Sequence, residues 1–559
     1  MADVPYFCPV DLANLRQSGS RSSTVSFWLA AASALAVALV PRLVALAGSD
    51  FPLNDGGIFA VMIRDILENG FRLPSTTAYN ASGIPFAYPP LALYVSAAVA
   101  KLTGAAIPSL LRSLPLLANL GTVVAFCALA RSFARTRASA LTASLLFPTL
   151  PYSIEWLITG GGLTRSFGMF FVTLAALAAH RFLITRRTFL LVPTTLFAAL
   201  AVLSHPEAGA SLAVTLAVFW LILGHDREAI AAGGVTAISV AALTAPWWLT
   251  VILRHGIEPM VSAGGTAGWS WARVLSLSAF SISGETSFTP IAFLALLGLV
   301  FDLTSRRPLP AVWFVVTCLF PRPGAREVIL PMALLAGEAF GEVIVPALRQ
   351  AYSGRAPRSG ETGEALAELN KPEPRKRFPD LAPTVLVVFL VSYGMLTNAF
   401  RLAPSGQPIP ALTPGERTAM AWVAVNTPDT SRFAVITSSA SWAEDPTTEW
   451  FPALTGRVSI VTPQGREWLP GHALDRSHEI YVALKRCAAA DAACHERWTR
   501  DHQMWWTHVF ISTAIRGEYV PQPLVASIAA SPDYVLVYRG PGAFIFARRG
   551  GPRSHSSER

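Results

Sequence analysis

The chain has 559 residues, of which 52% are hydrophobic and only 14% are charged, a composition that excludes an ordinary soluble protein. Its formal net charge of +9 at pH 7 does not indicate a nucleic-acid partner, because most Lys and Arg residues lie in short segments between apolar runs and no nucleic-acid-binding motif accompanies them. The composition is that of an integral membrane protein.

Long apolar runs predict the membrane helices. About 20 apolar residues are needed to cross the hydrocarbon of a bilayer, and such a run must be helical because no water is present there to pair with the backbone. The first run is expected to be retained, because no small-residue cleavage site follows it. After a cytoplasmic N-terminus at residues 1–25, the runs predict eleven crossings, at residues 26–47, 107–130, 138–151, 166–182, 189–204, 208–224, 229–252, 287–303, 309–321, 328–347 and 382–401.

Arginine clusters orient these helices. Cytoplasmic loops carry an excess of Lys and Arg, and the clusters here lie at residues 131–137, 181–187 and 349–377. All three face the cytoplasm only if Phe86–Thr103 lies along the outer membrane face; if this segment crosses, the crossings number twelve. We therefore predict a transmembrane domain at 26–348 with an outer loop at 48–106, a basic cytoplasmic linker at 349–381, a last membrane helix at 382–401 and an extracytoplasmic domain at 402–559.

The segment after residue 402 has the pattern of an α/β domain. Thr413-Pro414-Gly415-Glu416 is typical of a capped helix start. Arg432–Thr437 predicts a strand, and Tyr534–Tyr538 followed by Phe544–Arg548 predicts a terminal hairpin.

Two cysteines of this domain, Cys487 and Cys494, lie seven residues apart. If the domain is extracytoplasmic, the two thiols can form a disulfide. The alternative is a zinc site that also uses the neighbouring His495, although no CxxC pair supports it.

The first outer loop contains Asp55, in the sequence Asn54-Asp55-Gly56-Gly57, just before the amphipathic stretch Ile58–Leu67. An Asp at the start of a helix often caps orphan backbone N–H groups. A carboxylate at the outer membrane surface can instead take a proton from a hydroxyl group or hold a divalent metal ion. The sequence leaves both interpretations open.

Three segments in the same region resemble the GT-C superfamily of polytopic membrane glycosyltransferases: NDGGIFAVMIRDI, IPFAYPPLALYVSAAVAKLTG and SLLRSLP. Tyr88-Pro89-Pro90-Leu91 is similar to an aromatic-Pro-Pro-Leu segment of the protein mannosyltransferase and aminoarabinose transferase families, with oligosaccharyltransferase catalytic subunits as more distant relatives. The resemblance covers mainly residues 26–205. It implies that a sugar passes from a polyprenyl-phosphate carrier to an acceptor on the extracytoplasmic side, with Asp55 as general base.

This chain also departs from that family pattern. Asn54-Asp55 stands where many relatives carry Asp-Glu, and the second outer loop offers only Glu155 in place of paired acids. Glu155 would orient the acceptor or complete a Mg²⁺ or Mn²⁺ site with Asp55. An incidental charge at the membrane interface is the alternative for Glu155.

Arginines on the predicted outer face break the positive-inside trend. Arg165 follows Gly160-Gly161-Gly162-Leu163-Thr164 at a helix start, and Arg326 lies between two helices. Arginine can grip a lipid phosphate through two parallel hydrogen bonds, or it can simply reach the lipid headgroups. The resemblance favours Arg326 as the phosphate ligand, with Arg165 or Arg112 beside it.

Two further residues are candidates for orienting the acceptor. His205 ends a helix on the outer side, in Ser204-His205-Pro206-Glu207, and Tyr88 belongs to the aromatic-Pro-Pro-Leu segment. For His205, a turn position without a chemical role is the alternative.

We therefore predict an inverting GT-C-type glycosyltransferase that transfers a hexosyl or pentosyl group in a bacterial cytoplasmic membrane. Its donor would be a polyprenyl-phospho-sugar lipid, and its acceptor a glycan, a lipid or a protein. One alternative is a translocator of lipid-linked glycans, which would need polar residues within its membrane helices. The other is a non-catalytic relative that binds glycans.

The predicted orientation has a direct test. Single cysteines placed at Ser82 and at Ser531 should react with a membrane-impermeant thiol reagent in intact cells, whereas a cysteine at Ser359 should react only after lysis. Labelling of position 359 in intact cells would overturn the orientation.

Overall fold

The first part of the protein is a bundle of apolar helices. A small α/β domain follows it. A computed structural model describes residues 21–266, 284–285, 288–319, 326–353, 378–403, 409–439, 441–516 and 521–549. Most of the predicted basic linker, residues 354–377, lies outside the described residues. The helices of the first part are α1 (Arg21–Ala47), α2 (Gly57–Glu68), α3 (Leu91–Thr103), α4 (Ile107–Phe133), α5 (Arg137–Leu146), α6 (Gly162–Thr185), α7 (Leu191–Val202), α8 (Pro206–Leu223), α9 (Arg227–His255), α10 (Glu258–Gly265), α11 (Pro290–Thr304), α12 (Pro308–Leu319), α13 (Ile329–Glu338), α14 (Val345–Ser353) and α15 (Phe378–Leu402).

The bundle confirms a multi-pass integral membrane protein. Among the described residues, seven helices are long and apolar enough to cross a bilayer: those at Ser26–Ala47, Ile107–Phe133, Gly162–Thr185, Pro206–Leu223, Arg227–His255, Arg326–Ala351 and Leu381–Leu402. The predicted crossings at α7, α11 and α12 are shorter apolar helices. The total of eleven crossings therefore stays a prediction.

One predicted crossing is wrong in its extent. The helix expected at 138–151 ends at Leu146, and two 3₁₀ turns, Phe147–Thr149 and Pro151–Ser153, follow it. Each turn contains a proline near its start, which has no N–H to continue the α-helical pattern. This break leads the chain into the segment before α6.

The predicted outer loop contains two helices, α2 and α3. The amphipathic stretch Ile58–Leu67 predicts the first of them. Helix α3 has 13 residues, which at 1.5 Å per residue span about 20 Å. That length is shorter than the ~30 Å hydrocarbon layer. The length is therefore compatible with a segment that lies along the outer face.

A buried arginine near the C-terminal end of α1 connects this helix with the middle of α4 and with the 3₁₀ turns. The Arg42 side chain is fully buried. Its Nε donates to Asn119 Oδ1 at 2.6 Å, its Nη1 to the carbonyl oxygens of Ala38 and Pro148, and its Nη2 to the carbonyl and hydroxyl of Ser153. A charge inside a membrane helix requires such partners, so Arg42 fixes where the turns lie.

The C-terminal part confirms the predicted α/β domain. Its elements are α16 (Pro414–Asn426), β1 (Arg432–Ile436), α17 (Pro446–Thr455), β2 (Val458–Ser459), α18 (Ala473–Ala488), α19 (Ala492–Asp501), β3 (His508–Ser512), α20 (Gln522–Ala530), β4 (Tyr534–Arg539) and β5 (Ala543–Arg548). The sheet order is β2-β1-β3-β5-β4. Strand β1 is parallel to β2 and β3, whereas β5 is antiparallel to β3 and β4. The predicted strand at 432 and the terminal hairpin are both present.

The cysteine pair of this domain is oxidised. Cys487, near the end of α18, is joined to Cys494 in α19 by a disulfide. His495 is fully buried, with its ring 4.9 Å from that of Trp506 and 5.8 Å from that of Trp498. Because both thiols are used in the disulfide, the alternative of a zinc site is wrong.

The outer loop and the α/β domain share one hydrophobic core. Phe59 and Ile63 of α2 belong to the same buried cluster as Trp450 and Phe451 of α17. Polar contacts run alongside, since the Asn80 side chain donates to the Ser459 carbonyl at 2.9 Å and accepts from the Ser459 amide at 2.7 Å. The loop therefore packs as part of the domain.

Glu416 is the polar centre of the α/β domain. It is fully buried and forms the predicted capping box with Thr413 at the start of α16. Arg516 donates to both of its carboxylate oxygens, and the hydroxyls of Ser512 and Thr447 donate to Oε1 at 2.6 and 2.5 Å. Burial alone would raise the pKa of Glu416, but the hydrogen bonds and charge of Arg516, with the two hydroxyls, lower it to about 2.

Replacement of Arg516 should therefore destabilise the domain strongly. Arg516→Met leaves a buried carboxylate without its cation and should lower the free energy of unfolding by about 3–5 kcal/mol at pH 7. The folded-state pKa of Glu416 lies below its ordinary value of roughly 4.3, so its stabilising effect is present above pH ~4 and is lost as the pH falls toward 2. The difference in the free energy of unfolding between the Arg516 variant and the wild type should therefore become smaller as the pH falls from about 4 toward 2.

Tryptophan fluorescence during denaturation of the full-length protein in detergent measures this difference. Arg417→Met is the matched control, because Arg417 pairs with the largely exposed Asp50 and such pairs contribute little. Equal stability of the Arg516 variant and the Arg417 variant would contradict the assigned role of the buried pair.

Candidate functional site

Asp55 lies where the first outer loop meets the start of α6. Its Oδ1 accepts a hydrogen bond from the Gly161 amide at 2.8 Å, and its Oδ2 lies 3.8 Å from Arg165 Nη1. The Gly160 amide donates to the Leu53 carbonyl at 3.0 Å, next to this contact. A Cβ at position 161 would lie 2.2 Å from Asp55 Oδ2, so only glycine permits this approach of the carboxylate.

The interpretation of Asp55 as a helix cap is wrong. Helix α2 begins at Gly57, its N-cap is Gly56, and no side chain of the N-cap bonds to the helix. Gly56 has a φ of +118°, a conformation that a residue with a Cβ rarely adopts. The backbone turns away at this point, which leaves the Asp55 carboxylate directed to Gly161 and Arg165.

A glutamate of the α/β domain takes the capping role instead. Glu449 Oε1 accepts from the Gly56 amide at 2.8 Å. Burial and the nearby charge of Asp55 raise the pKa of Glu449 to about 8, although hydrogen bonds from the amides of Gly56, Ile58 and Gly57 act in the opposite direction. The loop that carries Asp55 is therefore bonded to the α/β domain.

The neighbouring residues strengthen this attachment. Trp450 Nε1 donates to the Asn54 carbonyl at 2.9 Å, and the Asn54 amide nitrogen Nδ2 donates to the Ala443 carbonyl at 2.8 Å. The Tyr79 hydroxyl donates to the Glu449 carbonyl at 2.7 Å. Asp55 is thus held from two sides, by α6 of the membrane bundle and by α17 of the α/β domain.

The structure brings the two predicted phosphate-binding arginines to one cavity. Arg165 and Arg326 both line one small cavity, together with Leu157, Met169, His205, Glu207, Ala208 and Glu327. Arg165 Nε and Nη1 and Arg326 Nε are shielded from solvent and have no hydrogen-bond partner among the described residues. A buried donor left without a partner costs roughly 1–3 kcal/mol, so this cavity suits a ligand that accepts hydrogen bonds. We name it the arginine cavity.

Tyr88 and His205 meet beside the arginine cavity. The Tyr88 hydroxyl lies 3.1 Å from Thr164 Oγ1, and its ring contacts the ring of His205 edge-on at 6.0 Å. Burial raises the pKa of Tyr88, which keeps its hydroxyl protonated. His205 is the N-cap of α8, and its Nδ1 accepts from the Glu207 amide at 3.2 Å. His205 thus has a structural role in its turn and also lines the cavity.

Glu155 and Arg112 have other partners. Glu155 Oε1 lies 3.0 Å from Arg401 Nε, and Glu155 lines a different cavity, between Leu53 and Leu402. Burial raises the pKa of Glu155, and the charges of Arg401 and Arg326 oppose the rise. Arg112 Nη2 donates to the Leu46 carbonyl at 2.6 Å, and Arg112 is not among the residues that line the arginine cavity.

The predicted divalent metal at Asp55 and Glu155 finds little support in these partners. Each carboxylate already faces an arginine, Arg165 for Asp55 and Arg401 for Glu155. Within the described ranges no group of three or more His, Cys, Asp or Glu residues is placed to hold a metal ion. A Mg²⁺ or Mn²⁺ ion at this pair stays a prediction, and no chemical step is assigned to it.

Sequence reasoning missed Glu449 and did not select Glu207. Glu449 acts on a residue 393 positions earlier in the chain, and no local pattern announces such a contact. Glu207 belongs to the same short turn as His205. Its position two residues after His205, which is a candidate site residue, is the signal by which Glu207 could be found from the sequence.

Comparison by sequence gives one partial match. A family model described as a 6-pyruvoyl-tetrahydropterin synthase related domain, membrane protein, matches residues 87–335. That range runs from just before α3, within the predicted outer loop, into α13. No curated protein matches the chain.

Comparison by structure gives glycosyltransferases. ArnT from Cupriavidus metallidurans bound to undecaprenyl phosphate is 15% identical, with a TM-score of 0.56 over 95% of this chain and 98% of that chain. The archaeal oligosaccharyltransferase AglB from Archaeoglobus fulgidus, in complex with an inhibitory peptide and a dolichol-phosphate, is 13% identical, with a TM-score of 0.56 over 88% of this chain and 70% of that chain. The arabinofuranosyltransferase AftD from Mycobacteria is 14% identical, with a TM-score of 0.51 over 95% of this chain and 40% of that chain. This likeness confirms the predicted GT-C fold.

The contact between Asp55 and Gly161 predicts that a methyl group at position 161 lowers the stability of the protein. Gly161 has a φ of −74°, so alanine fits the backbone, but its Cβ would overlap Asp55 Oδ2. Gly161→Ala should destabilise the protein by about 1–3 kcal/mol, the usual cost of overpacking. Because the overlap involves the carboxylate, the cost should largely disappear in an Asp55→Ala background.

Thermal unfolding of the four proteins of this double-mutant cycle in detergent measures the coupling. Gly234→Ala is the control, since its Cβ would have nothing within 4 Å and alanine favours a helix over glycine. An equal cost of Gly161→Ala with and without the Asp55 carboxylate would refute the contact.

Proposed function

We propose that the protein is a membrane glycosyltransferase that moves a sugar from a polyprenyl-phosphate-linked donor to an acceptor outside the cytoplasm. The observation that carries this proposal is the arginine cavity, where Arg165 and Arg326 have N–H donors without a hydrogen-bond partner among the described residues and where Arg165 forms an ion pair with Asp55. Two relatives with this fold were solved with a lipid phosphate, ArnT with undecaprenyl phosphate and AglB with dolichol-phosphate. Site and fold thus support the same class of reaction.

The two arginines are suited to a phosphate group. Guanidinium groups present a planar set of N–H donors that matches phosphate oxygens, and they keep their charge at all relevant pH values. Arg165 and Arg326 repel each other across the cavity, and the charges of Glu207 and Glu327, which also line it, partly offset this repulsion. A phosphate that gains charge as the sugar leaves would be bound more tightly in the transition state than in the substrate, which is the condition for catalysis.

Asp55 is suited to act as general base. The acceptor hydroxyl would give its proton to the Asp55 carboxylate while its oxygen bonds to the anomeric carbon of the donor. The bond from that carbon to the phosphate oxygen breaks, and the polyprenyl phosphate leaves with the electron pair, held by Arg326 and Arg165. A single displacement of this kind inverts the anomeric configuration. The Gly161 amide and Arg165 keep the carboxylate in place.

Other predicted residues fit supporting roles. His205 lines the arginine cavity and Tyr88 contacts its ring; the two side chains would orient the acceptor. Glu155, paired with Arg401, would shape the outer end of the site rather than carry protons. The acceptor would be a glycan, a lipid or a protein, and the reaction would occur on the outer face of a bacterial cytoplasmic membrane.

The central test is Asp55→Asn. Asn Oδ1 can still accept from the Gly161 amide, so the fold should be retained, but Asn cannot take a proton at neutral pH. Loss of a general base should lower the rate by roughly 10²–10⁴. Purified protein is incubated with lipid-linked sugars and envelope glycans that are extracted from the producing organism. The rate of transfer is the rate at which polyprenyl phosphate is released. Asp50→Asn is the control, in the same loop but paired with Arg417.

Binding of the lipid is measured separately. Undecaprenyl phosphate should raise the unfolding temperature of wild-type protein, and Arg326→Ala or Arg165→Ala should weaken this effect at least about tenfold in lipid concentration, because a hydrogen bond to a charged group contributes about 1.5–3 kcal/mol. Arg64→Ala is the control, since Arg64 lies in the outer loop and donates to the Ala453 carbonyl. Folded Asp55→Asn protein with a normal rate, or arginine variants with normal lipid binding, would refute the proposal.

A further inference from the structure

Two arginines lie on one face of the sheet of the α/β domain, at the amino end of β1. Arg432 begins β1 and Arg548 ends β5. Thr507, just before β3, lies between them: its amide donates to the Arg432 carbonyl at 2.9 Å, and its carbonyl accepts from the Arg548 amide at 2.9 Å. Residues directly opposite one another on neighbouring strands share a face. The backbones of the two arginines are therefore two strand spacings apart, roughly 10 Å.

Each of these arginines contacts a tryptophan. The guanidinium carbon of Arg432 lies 4.4 Å from the ring centre of Trp505, and that of Arg548 lies 4.6 Å from the ring centre of Trp506. Trp506 is buried, whereas Trp505 is 43% exposed. An aromatic ring of this size, exposed beside a cation, is accessible to a ligand from solvent.

Arg466 adds a third positive charge. It begins the short 3₁₀ helix Arg466–Trp468. Burial and then the charge of Arg432 lower the pKa of Arg466, so the two guanidinium groups lie near each other. We name Arg432, Arg466, Arg548 and Trp505 the basic surface.

The arginines of the basic surface lack the carboxylate partners that other arginines of the domain have. Arg457 pairs with Asp429 at 2.7 Å, and Arg516 pairs with Glu416. In the part of the chain that the structure describes, no ion pair includes an arginine of the basic surface. Like charges that lie together without a counter-charge repel one another, and an anionic ligand would relieve this repulsion.

The basic surface adjoins the candidate site through its 3₁₀ helix. Just before this helix, Gly465 has a φ of +83°, and a Cβ there would lie 2.6 Å from Ile84 Cδ1 and 2.8 Å from Ile58 Cδ1. At the end of the helix, the Trp468 ring lies 5.6 Å from the ring of Tyr88, which is beside the arginine cavity. The third arginine therefore belongs to a segment that packs on the outer loop at both ends.

We propose that the basic surface binds an acidic glycan, whose sugar units carry carboxylate or phosphate groups, and that this glycan is the acceptor. The planar N–H groups of arginine match both kinds of anion. A glycan with several charged units can reach cations that lie roughly 10 Å apart. The exposed ring of Trp505 suits the C–H face of a sugar ring, which favours a glycan over a lipid headgroup. The acceptor role rests on the proposed transferase function, whereas the binding of an acidic glycan does not.

The binding experiment is ligand-observed saturation-transfer NMR on full-length protein in nanodiscs of phosphatidylcholine, which has no net charge. The probes are a trisaccharide of α-1,4-linked galacturonic acid and the neutral trisaccharide of α-1,4-linked galactose. Wild-type protein should bind the acidic probe at least about tenfold more tightly, and the difference should shrink as salt screens the charges. Arg432→Gln and Arg466→Gln should each raise the Kd for the acidic probe at least about fivefold, because each removes a charge-assisted hydrogen bond.

Matched variants separate the basic surface from its surroundings. Arg486→Gln removes an exposed charge of α18 and should leave the Kd unchanged. Asp55→Asn and Arg326→Ala should also leave it unchanged, because both residues belong to the other site. A wild-type unfolding curve and an intact Cys487–Cys494 disulfide show that a variant is folded.

Three results would overturn the binding proposal. The first is equal affinity for the acidic and the neutral trisaccharide. The second is a rise in Kd in the Arg486 or Arg326 variant as large as in the Arg432 variant. The third is displacement of the acidic probe by an equal concentration of glycerol phosphate, which would identify the ligand as a lipid headgroup.

The acceptor role has its own measurement. In the transfer assay, Arg432→Gln should raise the KM for the extracted glycan and leave kcat unchanged, because the residue binds the acceptor away from the reacting atoms. A lower kcat at unchanged KM would overturn this role. Binding of the acidic probe to a protein without transfer activity would contradict the proposed function alone, and transfer without such binding would contradict the basic surface alone.

Discussion

The hydrogen bond from the Gly161 amide to the Asp55 carboxylate joins two segments that are 106 residues apart, and the arrangement of the site depends on it. Arg165 follows Gly161 by four residues on α6, about one helical turn. The same anchor that holds the carboxylate therefore also determines how far the nearest cation lies from it. Glycine at position 161 is the only residue compatible with this distance.

The anchor itself needs a fixed starting point for α6, and Arg42 provides one. Its guanidinium binds the carbonyls of Pro148 and Ser153, in the turns that precede Gly161. A guanidinium inside a membrane helix is tolerated when carbonyl groups surround it. The position of the candidate base thus depends on a second charged side chain, which is fully buried.

The sequence was sufficient for those features that local patterns encode. Apolar runs predict the membrane helices, the Thr413–Glu416 spacing predicts a capping box, and the break in the positive-inside trend of the predicted topology indicates Arg165 and Arg326. The sequence does not predict contacts in which a charged side chain pairs with a residue far away in the chain. The sequence leaves a capping role for Asp55 open because Asp commonly caps helices, but Glu449, 393 residues away, accepts the hydrogen bond from the Gly56 amide instead. The early end of α5 depends on prolines whose effect inside an apolar run is hard to weigh.

The single core shared by the outer loop and the α/β domain affects how this fold can evolve. Phe51 meets the Trp450 ring edge-on at 4.6 Å, and both residues are buried between the two parts. A domain exchanged between relatives without the matching loop would expose these aromatic surfaces and leave Gly56 without its glutamate. The loop and the α/β domain would therefore have to change together in evolution, although helices α4 to α15 lie between them in the sequence.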